Sequence, residues 1–315
     1  MSISPQSPTS VLETKGASFF WASFFLGKRY MLRAARLYRL CRYLDDTVDE
    51  CESPEQGRRM ILDVTQNLSS SSSKDEVIND GLALLQECGI NKTVLLELIN
   101  GVNSDNDLVR LQDQKGLLHY CYQVAGTVGL MMCRVLDAKN PKSKPFAKDL
   151  GIAMQLTNIC RDIKADALVN RRYLPADLIH NLEPSALIKP NARDIPIIKS
   201  AVQSLLKLAD VYYKRGERGL AYLPLRARFS ILIASRIYRE IGVKLASQQY
   251  EYWPTRIVVS NPRKFVVTLG ALISVFYRYN FWIPPNSYTH PKRTLEDAIP
   301  LNSSLSLMDI PSDIH

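Results

Sequence analysis

The most chemically loaded stretch of the chain is Arg42-Tyr43-Leu44-Asp45-Asp46-Thr47-Val48-Asp49-Glu50. Around it Ala34, Ala35, Leu37, Tyr38, Cys41 and Leu44 recur at helical spacing, so residues 33–50 read as one helix with a buried face. At ~100° per residue, Asp45 and Asp49 stand one turn apart on the same side. Like charges at that spacing repel one another, and a divalent cation would convert the repulsion into attraction. Oxygen-only ligands suit Mg²⁺, which keeps several waters and commonly bridges carboxylates to substrate phosphates.

A second set lies more than a hundred residues on, in Gln155-Leu156-Thr157-Asn158-Ile159-Cys160-Arg161-Asp162-Ile163-Lys164-Ala165-Asp166. Asn158, Asp162 and Asp166 recur every four residues and form a second row of hard oxygen donors on a helix that is otherwise apolar. Either row alone is compatible with an ordinary solvated helix face. Two rows, each with an arginine beside it (Arg42 and Arg161), predict a pocket in which acids hold metal and arginines pair with phosphate oxygens. Such a pocket supports metal-assisted departure of a diphosphate. Its other walls must be apolar and dry, because the carbocation left behind would react with water. Aromatic faces can stabilise that cation. Tyr38 shares a helix face with Asp45, and Tyr120 and Tyr238 lie on other helices, where plain core packing is the alternative role.

Those rows must be positioned by helices. Beyond 33–50, helical periodicity covers residues 76–88, 92–102, 115–136, 145–169, 195–223, 228–250 and 262–279, with breaks at Ser53-Pro54, 69–73, Gly89, Asn140-Pro141, Leu174-Pro175 and Leu223-Pro224. No stretch alternates with period two. The expected architecture is one large all-α domain over residues 15–283, with polar tails at 1–14 and 284–315. At 315 residues, 46% hydrophobic and 23% charged, the chain is neither disordered, collagen-like nor a polytopic membrane protein. Fourteen glycines and 17 prolines are too few for a β-rich fold with a turn every ten residues.

The net charge of +9 fits an anionic partner: nucleic acid, a lipid surface or a phosphorylated metabolite. The acid rows favour the last, and nucleic acid is not expected. Six cysteines without C-x-x-C spacing read as reduced core residues. With no apolar h-region and no arginine in residues 1–14, a cytoplasmic location is expected. The apolar run at 265–277 is too short to span a bilayer and reads as a buried core helix. Peripheral contact with membrane lipid is the alternative.

These segments resemble the squalene/phytoene synthase family, the head-to-head prenyl synthases, from about Ser18 to Val267. The first aspartate motif matches residues 42–50. The second matches 155–163 with Asp166, followed by Arg172-Tyr173-Leu174-Pro175. Tyr120-Cys121-Tyr122-Gln123-Val124-Ala125-Gly126-Thr127-Val128-Gly129 is similar to the family's tyrosine helix, where Gly126 and Gly129 allow close helix approach. Ala209-Asp210-Val211-Tyr212-Tyr213, Gly219-Leu220-Ala221-Tyr222-Leu223-Pro224 and Ile237-Tyr238-Arg239-Glu240-Ile241-Gly242 are similar to the phytoene synthase branch.

The resemblance implies an isoprenoid synthase fold around a central tunnel. It implies that Asp45, Asp49, Asn158, Asp162 and Asp166 bind Mg²⁺ (Mn²⁺ as a substitute) or its diphosphate complexes. It places Arg42, Gln155 and Arg161 on substrate, with Ser18, Phe19 and Tyr38 beside it, and Tyr120 and Tyr238 near the reacting carbons. The implied reaction joins two prenyl diphosphates through a cyclopropylcarbinyl diphosphate, which ionises, rearranges and loses a proton. Two geranylgeranyl diphosphates would give phytoene, for carotenoid biosynthesis. The alternatives are a C30 dehydrosqualene or squalene synthase, with NADPH expected only for squalene, and a non-catalytic membrane-surface partner on the same scaffold. Small Ala34 and Ala35 behind the first acids favour the longer chain. The sequence departs from the family pattern at Gly16-Ala17-Ser18-Phe19, where a serine is usual at the first position, and at Asp105-Asn106 and Arg110-Leu111.

Overall fold

A computed structural model describes residues 7–70 and 75–288. Positions 1–6 and 289–315 of the expected tails, and most of the break at 69–73, lie outside the described residues. Among the described residues there is no strand, only an isolated bridge between Arg110 and Arg172. The elements are α1 (Pro8–Lys15), α2 (Ala17–Ser23), α3 (Lys28–Asp49), α4 (Pro54–Ser70), α5 (Glu76–Cys88), α6 (Lys92–Asn103), α7 (Gln114–Cys121), α8 (Thr127–Val135), α9 (Lys144–Leu168), α10 (Pro184–Ile188), α11 (Ile195–Glu217), α12 (Leu225–Ser247), α13 (Asn261–Ser274) and α14 (Tyr279–Trp282).

Local chemistry sets many of these boundaries. Asp75 caps α5 by accepting from the amides of Val77 and Ile78, and Gly89, at φ +60°, ends it in the left-handed conformation. Asn91 and Asp113 cap α6 and α7 in the same way. Gly27, at φ +80°, turns the chain from α2 into α3. The predicted helix at 115–136 is interrupted by one π-helical segment, Tyr122–Gly126, between α7 and α8. Such widened turns concentrate at functional sites, and this one borders the tunnel.

The long α9 is the axis of the molecule. Its 25 residues span ~38 Å, and it packs against α8, α10, α11 and α12. On one side lies an apolar cluster built from α3, α4, α5, α6, α8 and α12, including Leu37, Leu40, Leu44 and Ile233. On the other lies a cluster from α7, α9, α11 and the end of α12, including Leu156, Leu205, Tyr213 and Leu245. Met154 and Ile231 pack against both clusters and also line the cavity between them. Close approach of α8 to α9 depends on Gly129 and Gly151. A Cβ at Gly129 would sit 2.2 Å from the Ala147 carbonyl oxygen, and one at Gly151 2.2 Å from that of Ala125.

Three expectations are corrected. Residues Pro8–Lys15, inside the expected N-terminal tail, form a helix whose Leu12 is buried against the core. The 284–288 segment, inside the expected C-terminal tail, is tied down: Tyr222 donates to the Pro285 carbonyl at 2.6 Å and Tyr288 donates to Asp149 at 2.8 Å. Helix α13 is not a core helix, because only one of its faces is buried. Thr268 and Ala271 point in, whereas Phe265, Val266, Leu269 and Ile273 are half exposed or more. An apolar run reveals burial somewhere but not which neighbour supplies it.

Candidate active site

Helix α9 carries the site on a single face. Phe146, Ala147, Leu150, Gly151, Met154, Gln155, Asn158, Arg161 and Asp162, with Ser143 just before the helix, all line one cavity of about 580 Å³. Their spacing of three and four residues is that of one helical stripe. The N-terminal half of the stripe is apolar and the C-terminal half polar. Opposite it stand Tyr38, Cys41, Arg42 and Asp45 from α3, Ser18 and Phe19 from α2, and Tyr238 from α12. Ala34 and Ala35 are buried but do not reach this wall. The room attributed to them comes instead from Ala125, Gly129, Ala147 and Gly151.

The polar end opens into an adjoining chamber of about 250 Å³, where the two acidic rows meet. Asp45 and Asp49 line it from α3, and Asn158, Asp162 and Asp166 from α9. Arg42, Gln155 and Arg161 share its wall, as does Tyr120. Asp45, Asn158 and Asp162 border both spaces, so the chamber and the tunnel are continuous.

Electrostatics inside the chamber is uneven. Burial pushes Asp45 up to about 7, Arg42 opposing and Asp49 and Asp105 reinforcing the shift. Asp166 is also pushed up to about 7, by burial and by its neighbour Asp162. Asp162 goes the other way. Burial works against its charge, but hydrogen bonds from Arg161 and Arg256, each 2.9 Å from Nε to Oδ1, outweigh it and hold the carboxyl below its ordinary value. Asp49 is bridged to Arg171 at 2.8 Å. Asp46, one residue off the row, is tied to Lys15 at 2.6 Å and to Arg42.

Three residues of the chamber were not singled out from sequence for the site. Asp105 accepts hydrogen bonds from Tyr120 (2.9 Å) and Tyr173 (2.8 Å), and burial raises it to about 6. Arg171 joins the two rows through Asp49 and also donates to the Asp105 carbonyl. Tyr173 stacks on Tyr120, ring centroids 4.8 Å apart. All but Tyr120 lie on the irregular segments around 105–112 and 169–177, which carry no helical period. The usable signals were the departure at Asp105 and the motif beginning at Arg172.

Tyr120 and Tyr238 are therefore in different surroundings. Tyr120 directs its hydroxyl to a carboxylate in the polar chamber. Tyr238 lies against Phe19 (4.9 Å), which in turn faces Tyr38 (6.2 Å), giving the tunnel an aromatic wall beside the acids. Burial pushes the Tyr238 phenol up to about 12. At Gly16, where the family pattern has a serine, a Cβ would fall 2.9 Å from the Tyr38 ring, so that ring now fills the space.

The donors could take a hard cation. The Asn158 Oδ1 is buried and lacks a hydrogen-bond partner, and Asp45 and Asp166 are carboxylates under-compensated by positive charge. Among the described residues no three acids converge into a ready-made cluster, so an ion there would complete its shell with water and substrate oxygens.

A helical fold with two acidic rows at one end of a largely apolar tunnel is the arrangement, and comparison with known proteins gives the family. The squalene/phytoene synthase family model matches residues 12–263, and the chain belongs to this family of prenyltransferases. It is 31% identical over 272 residues to the 15-cis-phytoene synthase of Pantoea ananas, covering 81% of this chain and 86% of that one. It is 32% identical over 278 residues to the phytoene synthase of Cereibacter sphaeroides, covering 82% and 76%. The fold matches a ligand-bound dehydrosqualene synthase with a TM-score of 0.76 at 24% identity, over 86% of this chain and 96% of that one. It also matches a squalene synthase from Alicyclobacillus acidocaldarius with a TM-score of 0.65 at 15% identity, over 77% and 92%.

Proposed function

We propose that the chain is a phytoene synthase, joining two geranylgeranyl diphosphates head to head, through a cyclopropylcarbinyl diphosphate, for carotenoid biosynthesis. The observation that carries this reading is the single face of α9, acidic at one end and apolar for the rest of its length. Asp162 and Phe146 are 16 positions apart on that face, or ~24 Å at the helical rise. An extended C20 chain needs ~20 Å and a C15 chain ~15 Å, at roughly 1.3 Å of advance per C–C bond. The tunnel is thus long enough for the longer chain with its diphosphate in the acidic chamber. The relatives named phytoene synthase support the same product.

Each part of the wall has work to do. Arg42, Arg161 and Arg171 face the chamber and would pair with phosphate oxygens. Asp45, Asp49, Asn158, Asp162 and Asp166 would hold Mg²⁺, or Mn²⁺ in its place, which when bound neutralises charge building on the departing diphosphate. Arg256 would have to release Asp162 for that carboxylate to serve. Tyr238, Phe19 and Tyr38 present ring faces to the carbocation, while Leu150, Met154, Ile231 and Ile241 exclude water. Incubation with labelled C15 and C20 diphosphates, with and without NADPH, tests the reading. Phytoene from the C20 substrate without NADPH is expected. A C30 hydrocarbon alone would assign the C30 reaction instead, and no diphosphate release from either substrate would leave the scaffold non-catalytic.

Peripheral membrane contact is part of the proposal. No helix among the described residues is long and apolar enough to cross a membrane. A contiguous apolar surface nevertheless joins α2 and α13 through Trp21, Phe24, Phe25, Phe265, Leu269 and Leu272, with Phe24 67% and Phe265 62% exposed. The first turn of α2 lines the tunnel, so the tunnel wall and this surface share one helix. Lys28, Arg29 and Arg263 are exposed and close to it along the chain, which suits an anionic lipid surface.

A further inference from the structure

At its apolar end the tunnel is lined by the Phe146 ring, with Cys133, Leu136, Ser143, Leu220 and Leu223 around it. Phe146 lines the cavity from the first turn of α9 and is 2% exposed. The ring is braced by Tyr288 and Tyr222, which do not themselves reach the cavity wall, and by Gly219, which does. Tyr288 meets it edge-on with centroids 5.2 Å apart, and Tyr222 lies at 5.9 Å. Gly219 lies against it so closely that a Cβ there would fall 2.3 Å from the Phe146 Cβ.

The brace is itself anchored. Tyr288 donates to the fully buried Asp149 at 2.8 Å and accepts from Arg215, whose Nε is 3.0 Å from the same carboxylate. The Pro285 carbonyl accepts from Tyr222 at 2.6 Å, and that of Asn286 from Lys142 at 3.2 Å. Residues 285–288 therefore form a strap across the start of α9, with four hydrogen bonds to the rest of the fold and one ring seated on Phe146. Close-packed interiors resist displacement of such a ring.

We infer that Phe146, held in place by the 285–288 strap, sets the longest prenyl chain the enzyme accepts. The inference rests on the reading of the tunnel as the prenyl site, but not on which chain length it prefers. With Phe146 removed, the tunnel would extend to the Tyr222 and Tyr288 rings, deep enough for about one more isoprene unit, since a phenyl ring and its Cβ reach ~5 Å.

The test is a set of kcat/KM ratios on purified full-length enzyme with C15, C20 and C25 all-trans prenyl diphosphates. Ratios cancel any loss of active fraction. For Phe146→Ala the C25-to-C20 ratio should rise by more than ~10-fold, since even one methylene in an apolar pocket discriminates at that level. Tyr288→Leu, which loosens the brace and leaves Phe146 in place, should raise it less. Phe146→Trp should lower the C20-to-C15 ratio. Should Phe146→Ala fail to fold, Phe146→Leu carries the same test in the same direction. Unchanged ratios in folded variants, or a shift of the same sign for alanine and tryptophan, would overturn the inference. If the wild-type enzyme prefers C15, the proposed product is wrong; the floor is then tested one unit lower, by the rise in the C20-to-C15 ratio of Phe146→Ala.

Discussion

Asp162 and Asp166 stand one turn apart on the same helix, yet the protein treats them in opposite ways. Two guanidiniums hold the first below its ordinary value, whereas burial and its neighbour lift the second to about 7. The difference separates two kinds of acid in the chamber. Asp45, Asp105 and Asp166 are protonated more readily in the folded protein than in the unfolded chain. Their charge therefore costs stability, which falls as pH rises from about 4 to about 7. The fall in unfolding free energy between pH 5 and pH 8 should be smaller in Asp45→Asn than in wild type, as read by urea denaturation in the absence of divalent ions. An identical pH dependence in the two proteins would refute the burial argument. Asp49 is different again: its pair with Arg171 is 43% exposed on the acid's side. Asp49→Asn should cost less than ~1 kcal/mol of stability while lowering turnover by ~10²-fold or more. Asp162→Asn should lose both, because it strips the buried Arg161 of its charged partner. Paired denaturation and diphosphate-release measurements separate these two cases.

At the scale of elements, helical period was enough to locate both acidic rows, because a four-residue repeat of carboxylates on an apolar helix has few uses. It also sets Tyr38 and the flanking arginines beside them, whereas Tyr238 is reached only through the family resemblance. It did not reach Asp105, Arg171 or Tyr173, which come from irregular segments whose positions depend on long-range contacts such as the bridge between Arg110 and Arg172. Composition misled at α1, whose polar residues hide one buried leucine, and at α13, where an apolar run was equated with core. The small residues that make space lie not on α3 but where α8 and the π-helical turn before it cross α9. Gly151→Val should therefore destabilise the protein by ~1–3 kcal/mol or more, as overpacking does, because its Cβ would meet the Ala125 carbonyl at 2.2 Å. Unaltered stability in chemical denaturation would show that the two helices can part without cost.

The whole molecule is a sleeve of helices around α9, with charge at one end of the lumen and an unpartnered apolar surface at its side. On the proposed reading, an excess of nine positive charges and the exposed α2–α13 surface would act together on an anionic bilayer. Co-sedimentation with anionic liposomes at low salt is expected, and Phe24→Asp with Phe265→Asp should abolish it without altering turnover of detergent-solubilised substrate. Equal sedimentation of wild type and double variant would place the contact elsewhere. Joint action on one diphosphate by two rows from distant parts of the chain is the proposed role of the chamber. It is tested most directly by diphosphate release from geranylgeranyl diphosphate as Mg²⁺ is titrated from zero, in wild type, Asp45→Asn and Asp166→Asn. Release that requires the divalent ion and falls ~10²-fold or more in both variants is the predicted result. Metal-independent release, or a loss confined to one of the two rows, would contradict it.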